Sequence, residues 1–291
     1  MRLFEERGVV LFDAAMGTAL LAAGQPKGTC SEDMNNSSPE TVLNIHLENI
    51  NAGSDVVTCN TFGITGLMQR GDREGALRTL DKAVAIAKKA AAGGGPGGCE
   101  ILVCLCVGPS GAMLGQNGDT SYTEIEEIYA AQAETGSRAG ADFILLETFA
   151  DPEEFARAAH GARKASGRPV LGTMTFGEGG RSFMGASLKD LIRVARTENL
   201  DAAGVNCTLD PIGMIPVVTE LMSLADGLPL IAQPNAGQPV FEEGKAIYKT
   251  SAEAFAAGAE KLIDLGISGI GGCCGTTPET ISLIRVIIDR R

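Results

Sequence analysis

Near its end the chain reads GGCCGTTPE, Gly271 to Glu279, with two adjacent cysteines set among glycines after an apolar run. A third cysteine, Cys207, directly follows another apolar run, DAAGVN (Asp201 to Asn206). Three thiolates can hold zinc tetrahedrally, each at about 2.3 Å, and leave a fourth position open for a reactant, which is the arrangement of a catalytic site. Adjacent cysteines reach one metal only where the backbone is compact, and Gly271, Gly272 and Gly275 supply that freedom. The plainer reading of Cys273 and Cys274 is core packing, but glycine neighbours leave little side-chain surface to pack against; on oxidation the pair could also close a strained vicinal disulfide. Glu147 is the second chemical signal. It ends an almost wholly apolar run, DFILLE, and a buried carboxylate needs a partner, so it belongs in a pocket.

Such residues need a frame that brings distant segments together. Short apolar runs recur at Val9 to Asp13, Asp55 to Cys59, Glu100 to Cys106, Asp142 to Glu147, Pro169 to Met174, Asp201 to Asn206, Leu228 to Gln233 and Ile267 to Gly272. Each is followed by a longer stretch of helical periodicity, the alternation of βα units on a parallel sheet. Eight such units predict a closed (β/α)8 TIM barrel, an α/β fold, in which residues 1–291 form a single domain. Helix punctuation agrees: Asp151-Pro152-Glu153-Glu154 and Thr277-Pro278 read as helix starts, as does Thr123 with Glu126, and Gly53, Gly140 and Gly266 stand where helices should stop. Residues 90–98 form a glycine-rich loop without the lysine ending of a phosphate loop, and residues 237–250 read as a hairpin insertion turning at Glu243-Gly244.

In a (β/α)8 barrel the active site lies at the C-terminal ends of the strands. The residues there are Asp13, Cys59-Asn60-Thr61, Glu147-Thr148, Asn206-Cys207, Asn235 and Cys273-Cys274. Cys59 is either a pocket wall or a fourth ligand. Cys99, Cys104 and Cys106 read as small buried hydrophobes, the last two on one face of a strand, and Cys30 as a partly exposed loop thiol. His46 and His160 fall within helices, as packing or surface residues, and Glu124, Glu126 and Glu127 as a solvated face.

The whole chain sets further bounds. Its formal charge of −12 over 291 residues argues against nucleic acid as a partner, because phosphate contacts want clustered Lys and Arg. No apolar run approaches the roughly 20 residues of a membrane span, so no membrane partner is expected. The eight dispersed cysteines, behind a charged N-terminus with no secretory leader, fit free or metal-bound thiols in a reducing, cytoplasmic setting.

At GGCCGTTPE and VNC (Val205 to Cys207) the sequence resembles the homocysteine S-methyltransferase family, and the likeness runs through DAAMGT (Asp13 to Thr18), NTFG (Asn60 to Gly63), GPSG (Gly108 to Gly111), ETFAD (Glu147 to Asp151), MTFGEGGRSFMG (Met174 to Gly185) and PNAGQP (Pro234 to Pro239). PNAG and the glycine after the cysteine pair are most like the homocysteine-binding module of the cobalamin-dependent methionine synthase branch. The resemblance implies Zn2+ on Cys207, Cys273 and Cys274, with homocysteine as the thiol to be methylated to methionine. It places the α-ammonium at Glu147, the carboxylate on the loop Ala15, Met16, Gly17 and Thr18, Asn235 near the metal and amino group, and Asp13, Asn60 and Thr61 around the pocket. The implied donor is methylcobalamin carried by a corrinoid protein or cobalamin module. The alternative is a small-molecule donor such as S-methylmethionine, S-adenosylmethionine or betaine, or another acceptor thiol. Ala14 stands where the family has glycine.

Overall fold

The computed structural model describes residue 4 and residues 8–114, 118, 120–242 and 245–291. Each apolar run forms one strand of a parallel, eight-stranded sheet: β1 (Val10–Leu11), β2 (Val56–Thr58), β3 (Leu102–Val107), β4 (Phe143–Phe149), β5 (Val170–Met174), β6 (Ala202–Asn206), β7 (Leu230–Gln233) and, last in the chain, β10 (Gly269–Ile270). The order β1-β10-β7-β6-β5-β4-β3-β2 is the order of a (β/α)8 barrel, with helices between successive strands. The strands read as unbroken apolar runs because both faces are buried. Val10, Phe12, Val56, Cys104, Phe143 and Leu145 fill the inside of the barrel, while Val103, Leu105 and Val107 face the helices.

The two ends of this sheet meet at β1 and β2, joined by one backbone bond and by aspartate side chains in place of a full ladder. The Leu11 N–H donates to Asp55 Oδ2 at 2.8 Å, and the Asp55 N–H to the Leu11 carbonyl at 2.7 Å. Thr58 donates its N–H to Asp13 Oδ2 and its hydroxyl to Asp13 Oδ1, each at 2.7 Å.

Helix starts follow local chemistry. Asp151 accepts from the Glu153 N–H ahead of Pro152, and Thr277 from the Thr280 N–H ahead of Pro278. The start expected at Thr123 lies two residues earlier: Ser121 caps the helix Tyr122–Ala139 by accepting from Glu124, which leaves Thr123 inside the first turn. Within residues 90–98 the helix Arg73–Ala91 ends and a short turn, Pro96–Gly98, follows. Cys99 comes straight after that turn and is exposed, a correction to its reading as a buried hydrophobe. In the segment 237–250, β8 (Val240–Glu242) pairs antiparallel with β9 (Lys245–Ile247); the turn expected at Glu243-Gly244 lies outside the described residues.

His46, in the helix Pro39–Asn51, is fully buried, and among the described residues neither ring nitrogen has a partner. Burial pushes it down to about 4 from its ordinary 6.5. A neutral ring is therefore favoured in the fold, so its contribution is present above 6.5 and is lost as pH falls through 6.5 toward 4. At pH 5 the loss should reach about 2 kcal/mol. Urea unfolding of wild type and His46→Leu at pH 7.5 and pH 5 checks this; the variant should lose less stability by that amount.

Candidate active site: three thiols at the barrel mouth

The loops leaving β6, β7 and β10 are tied to one another, and this brings the three cysteines together. The Cys207 N–H donates to the Gln233 carbonyl at 3.0 Å, Cys273 to Pro234 at 2.8 Å, Ala236 to Cys274 at 2.9 Å and Asn235 to Leu209 at 2.8 Å. Cys207 and Thr208 both hold left-handed conformations, φ 61° and 59°, which side chains other than glycine adopt at a cost. Glycine is required beside the pair for two different reasons. At Gly272 a Cβ would collide with Thr276; Gly275 is left-handed at φ 81°, and a Cβ there would run into the Tyr248 ring.

The sulfurs of Cys207, Cys273 and Cys274 lie within 4.8 Å of one another, and the Cys273 and Cys274 sulfurs are 4.0 Å apart. Cys274 is drawn down by hydrogen bonds, first from Cys207 and then from Cys273, while Cys273 is pushed well up by its bonds to Cys207 and Cys274. One thiol ionises at the expense of its neighbours, so three thiolates together need a positive ion among them. A soft divalent metal fits this donor set, and thiolates select for such ions. Among the described residues this is the one group of three metal-capable side chains so gathered. Cys59 is 3% exposed and lines the pocket as a wall, outside the cluster.

Beside the thiols opens a cavity of about 360 Å3. Asp13, Ala15, Met16, Gly17, Thr18, Asn60, Thr61 and Glu147 line it with the three cysteines. Glu147 enters because β4 alternates: Phe143 and Leu145 face the barrel interior, as does Glu147. The register then shifts between Leu146 and Phe149, with Thr148 at φ 65°. This bulge gives two consecutive side chains, Glu147 and Thr148, to the cavity and sends Phe149 outward against Tyr129 and Phe155, with ring centroids at 5.9 and 5.4 Å. Burial raises the Glu147 carboxyl to about 7, against the opposing pull of a hydrogen bond from the Cys106 thiol at 3.2 Å. Asp13 rises to about 6, again through burial, with both oxygens held by Thr58.

Asp13 also leads into the strip Ala15 to Thr18, which is pinned to the cysteine loop. The Ala15 N–H donates to Thr276 Oγ1 at 3.2 Å, and the Gly275 N–H to Thr18 Oγ1 at 3.1 Å. Asn60 donates to the Ser31 carbonyl at 2.7 Å, and Thr61 to the Cys106 carbonyl at 2.6 Å, so both shape the wall through the backbone of neighbouring segments. Asn235 sits on the loop after β7, between Pro234, whose carbonyl accepts from Cys273, and Ala236, whose N–H donates to Cys274. It is 4% exposed, and among the described residues its Oδ1 has no partner.

Cys106, Glu32, Thr58, Phe62 and Gln233 also line the cavity. Cys106 stands near the C-terminal end of its strand, where the barrel rule applies to it as much as to Glu147; reading it as a hydrophobe passed over its thiol as a donor. Glu32 comes from a single 3-10 turn, Ser31–Asp33, buried and accepting the Gly63 N–H at 2.6 Å, and no periodicity marks it.

The family model described as "Homocysteine S-methyltransferase" matches residues 10–288. Methionine synthase of Mycobacterium tuberculosis is 33% identical over 288 residues, covering 94% of this chain and 24% of that protein. The chain thus spans about a quarter of the length of that relative. Homocysteine S-methyltransferase 2 of Arabidopsis thaliana is 28% identical, covering 88% of this chain and 85% of that one. In fold the chain is similar to the metallated form of the homocysteine methyltransferase MmuM from Escherichia coli, with a TM-score of 0.81 at 23% identity, covering 98% of each chain. With a family match over nearly its whole length, the chain belongs to the homocysteine S-methyltransferase family.

Proposed function

We propose that this chain transfers a methyl group from a protein-borne methylcorrinoid, methylcobalamin in its natural form, to the thiol of homocysteine, giving methionine. The observation that carries this reading is a single cavity with three convergent thiols at one side and a buried carboxylate, Glu147, at another. Cys207, Cys273 and Cys274 would hold zinc. Bound there, zinc would supply Lewis acidity that favours the thiolate of a substrate whose free thiol, of pKa near 8.5, is mostly protonated at neutral pH. Glu147 would receive the α-ammonium, and the strip Ala15 to Thr18 would face the carboxylate. Asp13 keeps that strip in place through Thr58 and does not handle protons of the reaction. No histidine is needed at the sulfur, in keeping with both histidines lying elsewhere.

A macromolecular donor is favoured by the rim. Met113, Phe183, Met184 and Phe241 are 68–81% exposed on the segments that follow β3, β5 and β7, at the mouth of the barrel. Apolar side chains held out on the loops around a site offer a protein donor a surface to dock on. Phe183→Asp with Met184→Asp is expected to raise KM for a methylcorrinoid protein by about tenfold or more, with the Kd for homocysteine unchanged; steady-state kinetics and calorimetry check both.

A second reading keeps the metal and takes a small-molecule donor. It is favoured by the 85% coverage of a plant enzyme named homocysteine S-methyltransferase. One assay series separates the two: metal analysis of the purified protein, with homocysteine methylation from methylcobalamin, S-adenosylmethionine, S-methylmethionine and betaine. About one zinc per chain with methylcobalamin activity supports the proposal. Full activity in metal-stripped protein, or activity from another donor alone, overturns it.

A further inference from the structure

Asn206 ends β6, next to Cys207, and is 1% exposed. Its amide is fully engaged. Oδ1 accepts from the Thr148 N–H at 3.1 Å and from the Thr173 hydroxyl at 2.9 Å. Nδ2 donates to Thr148 Oγ1 at 2.6 Å, lies 3.4 Å from Glu147 Oε1 and 4.0 Å from the Cys273 sulfur.

Two of these bonds grip one residue from both sides. Thr148 is β-branched and left-handed, a conformation that persists only where the surroundings enforce it. The Asn206 amide takes its N–H and satisfies its hydroxyl at once. Since Thr148 is the bulge that gives Glu147 and Thr148 to the same cavity, the grip on Thr148 is also a grip on the direction of Glu147. One hydrogen of Nδ2 is spent on Thr148. The other is left to face the Glu147 carboxylate, with the Cys273 sulfur at the outer limit of its reach.

We infer that Asn206 is a positioning residue that couples the ammonium end of the substrate site to the metal end, through one amide nitrogen facing both Glu147 and Cys273. The inference rests on the proposed placement of homocysteine, ammonium at Glu147 and sulfur at the thiol cluster. An N–H directed at a ligand sulfur withdraws electron density from it, so loss of the donor should be visible at the metal as well as in substrate affinity. Partners of this kind are worth about 10- to 100-fold when removed.

Two variants test it on full-length protein loaded with cobalt(II), whose thiolate charge-transfer band reports on the sulfurs. Asn206→Asp keeps size and the Oδ1 acceptor and replaces the donor by a carboxylate oxygen. Thr173→Val removes the hydroxyl that holds Oδ1; Thr173 is fully buried and lines no part of the cavity. Asn206→Asp is expected to shift the charge-transfer band and to raise the Kd for homocysteine by about 10- to 100-fold. Thr173→Val should move both in the same direction by severalfold. Wild-type band position and Kd in the two variants overturn the inference, and if Asn206→Asp does not fold, the same result in Thr173→Val alone overturns it. Should homocysteine leave the band of the wild-type cobalt protein unmoved, the substrate placement itself fails, and the coupling with it.

Discussion

Cys273→Ser is expected to lose stoichiometric zinc and, with it, methyl transfer. A serine hydroxyl does not ionise near neutral pH and is a hard oxygen donor in place of a soft one. Thiolate zinc sites bind with an apparent free energy of order 10 kcal/mol or more, so removing one of three protein ligands should cost about 4 kcal/mol, or about 10^3 in affinity. The polypeptide should survive the change. Cys273 sits at a loop held by backbone bonds, from its own N–H to Pro234 and from Thr276 to its carbonyl, and serine keeps both. Metal analysis after dialysis should find less than a tenth of the wild-type zinc, and thermal unfolding in the presence of a chelator should give the same midpoint for both proteins. Zinc retained at one per chain in Cys273→Ser would remove this residue from the ligand set.

Glu147→Gln has the second largest expected effect, and it acts in opposite directions on function and on stability. Removing one member of a buried charge pair costs 2–5 kcal/mol in comparable complexes, so kcat/KM for homocysteine should fall by about 10^2. The loss should lie chiefly in KM, because in the proposed placement the ammonium would be bound equally before and during the reaction. Wild-type affinity should rise with pH through about 7, the value to which burial lifts the carboxyl, and the Gln variant should lack that rise. For stability the sign reverses. A carboxyl raised in the fold contributes stability below its unfolded 4.5 that is lost as pH rises through 7, so the ionised group is a burden at pH 8. The Gln variant should be more stable there by up to about 3 kcal/mol, measured by urea unfolding.

The barrel was legible because both faces of every strand are buried, which turns each strand into an apolar run such as DFILLE or EILVCLC that needs no alternation to be seen. The thiol cluster was legible for a related reason: in this fold the end of a run is the mouth of the barrel, so Cys207 and Cys273-Cys274 could be placed together from far apart in sequence. Hydrogen bonding between those places was not legible. Nothing in VNC says that Asn206 reaches Thr148 and Glu147, since the contact spans 58 and 59 residues and depends on a bulge in another strand. Tyr248 escaped notice because it enters over Gly275 from the hairpin insertion, and the missing Cβ at Gly275 is the sole trace it leaves. Asn235 was placed by its motif, and in the structure it is buried on a loop whose backbone is bonded to Cys273 and Cys274.

In mechanical terms the barrel is a belt and not a hoop. Seven of its joints are ladders of backbone bonds, one of them, between β4 and β5, interrupted by a bulge, while the eighth, between β1 and β2, is a buckle of one backbone bond and the Asp13 and Asp55 carboxylates. Here the tongue of the buckle is Asp13, which lines the cavity and leads into the strip Ala15 to Thr18, so the closure of the ring and one wall of the site share a residue, while the Cys207 side is flanked by the ladders of β5, β6 and β7.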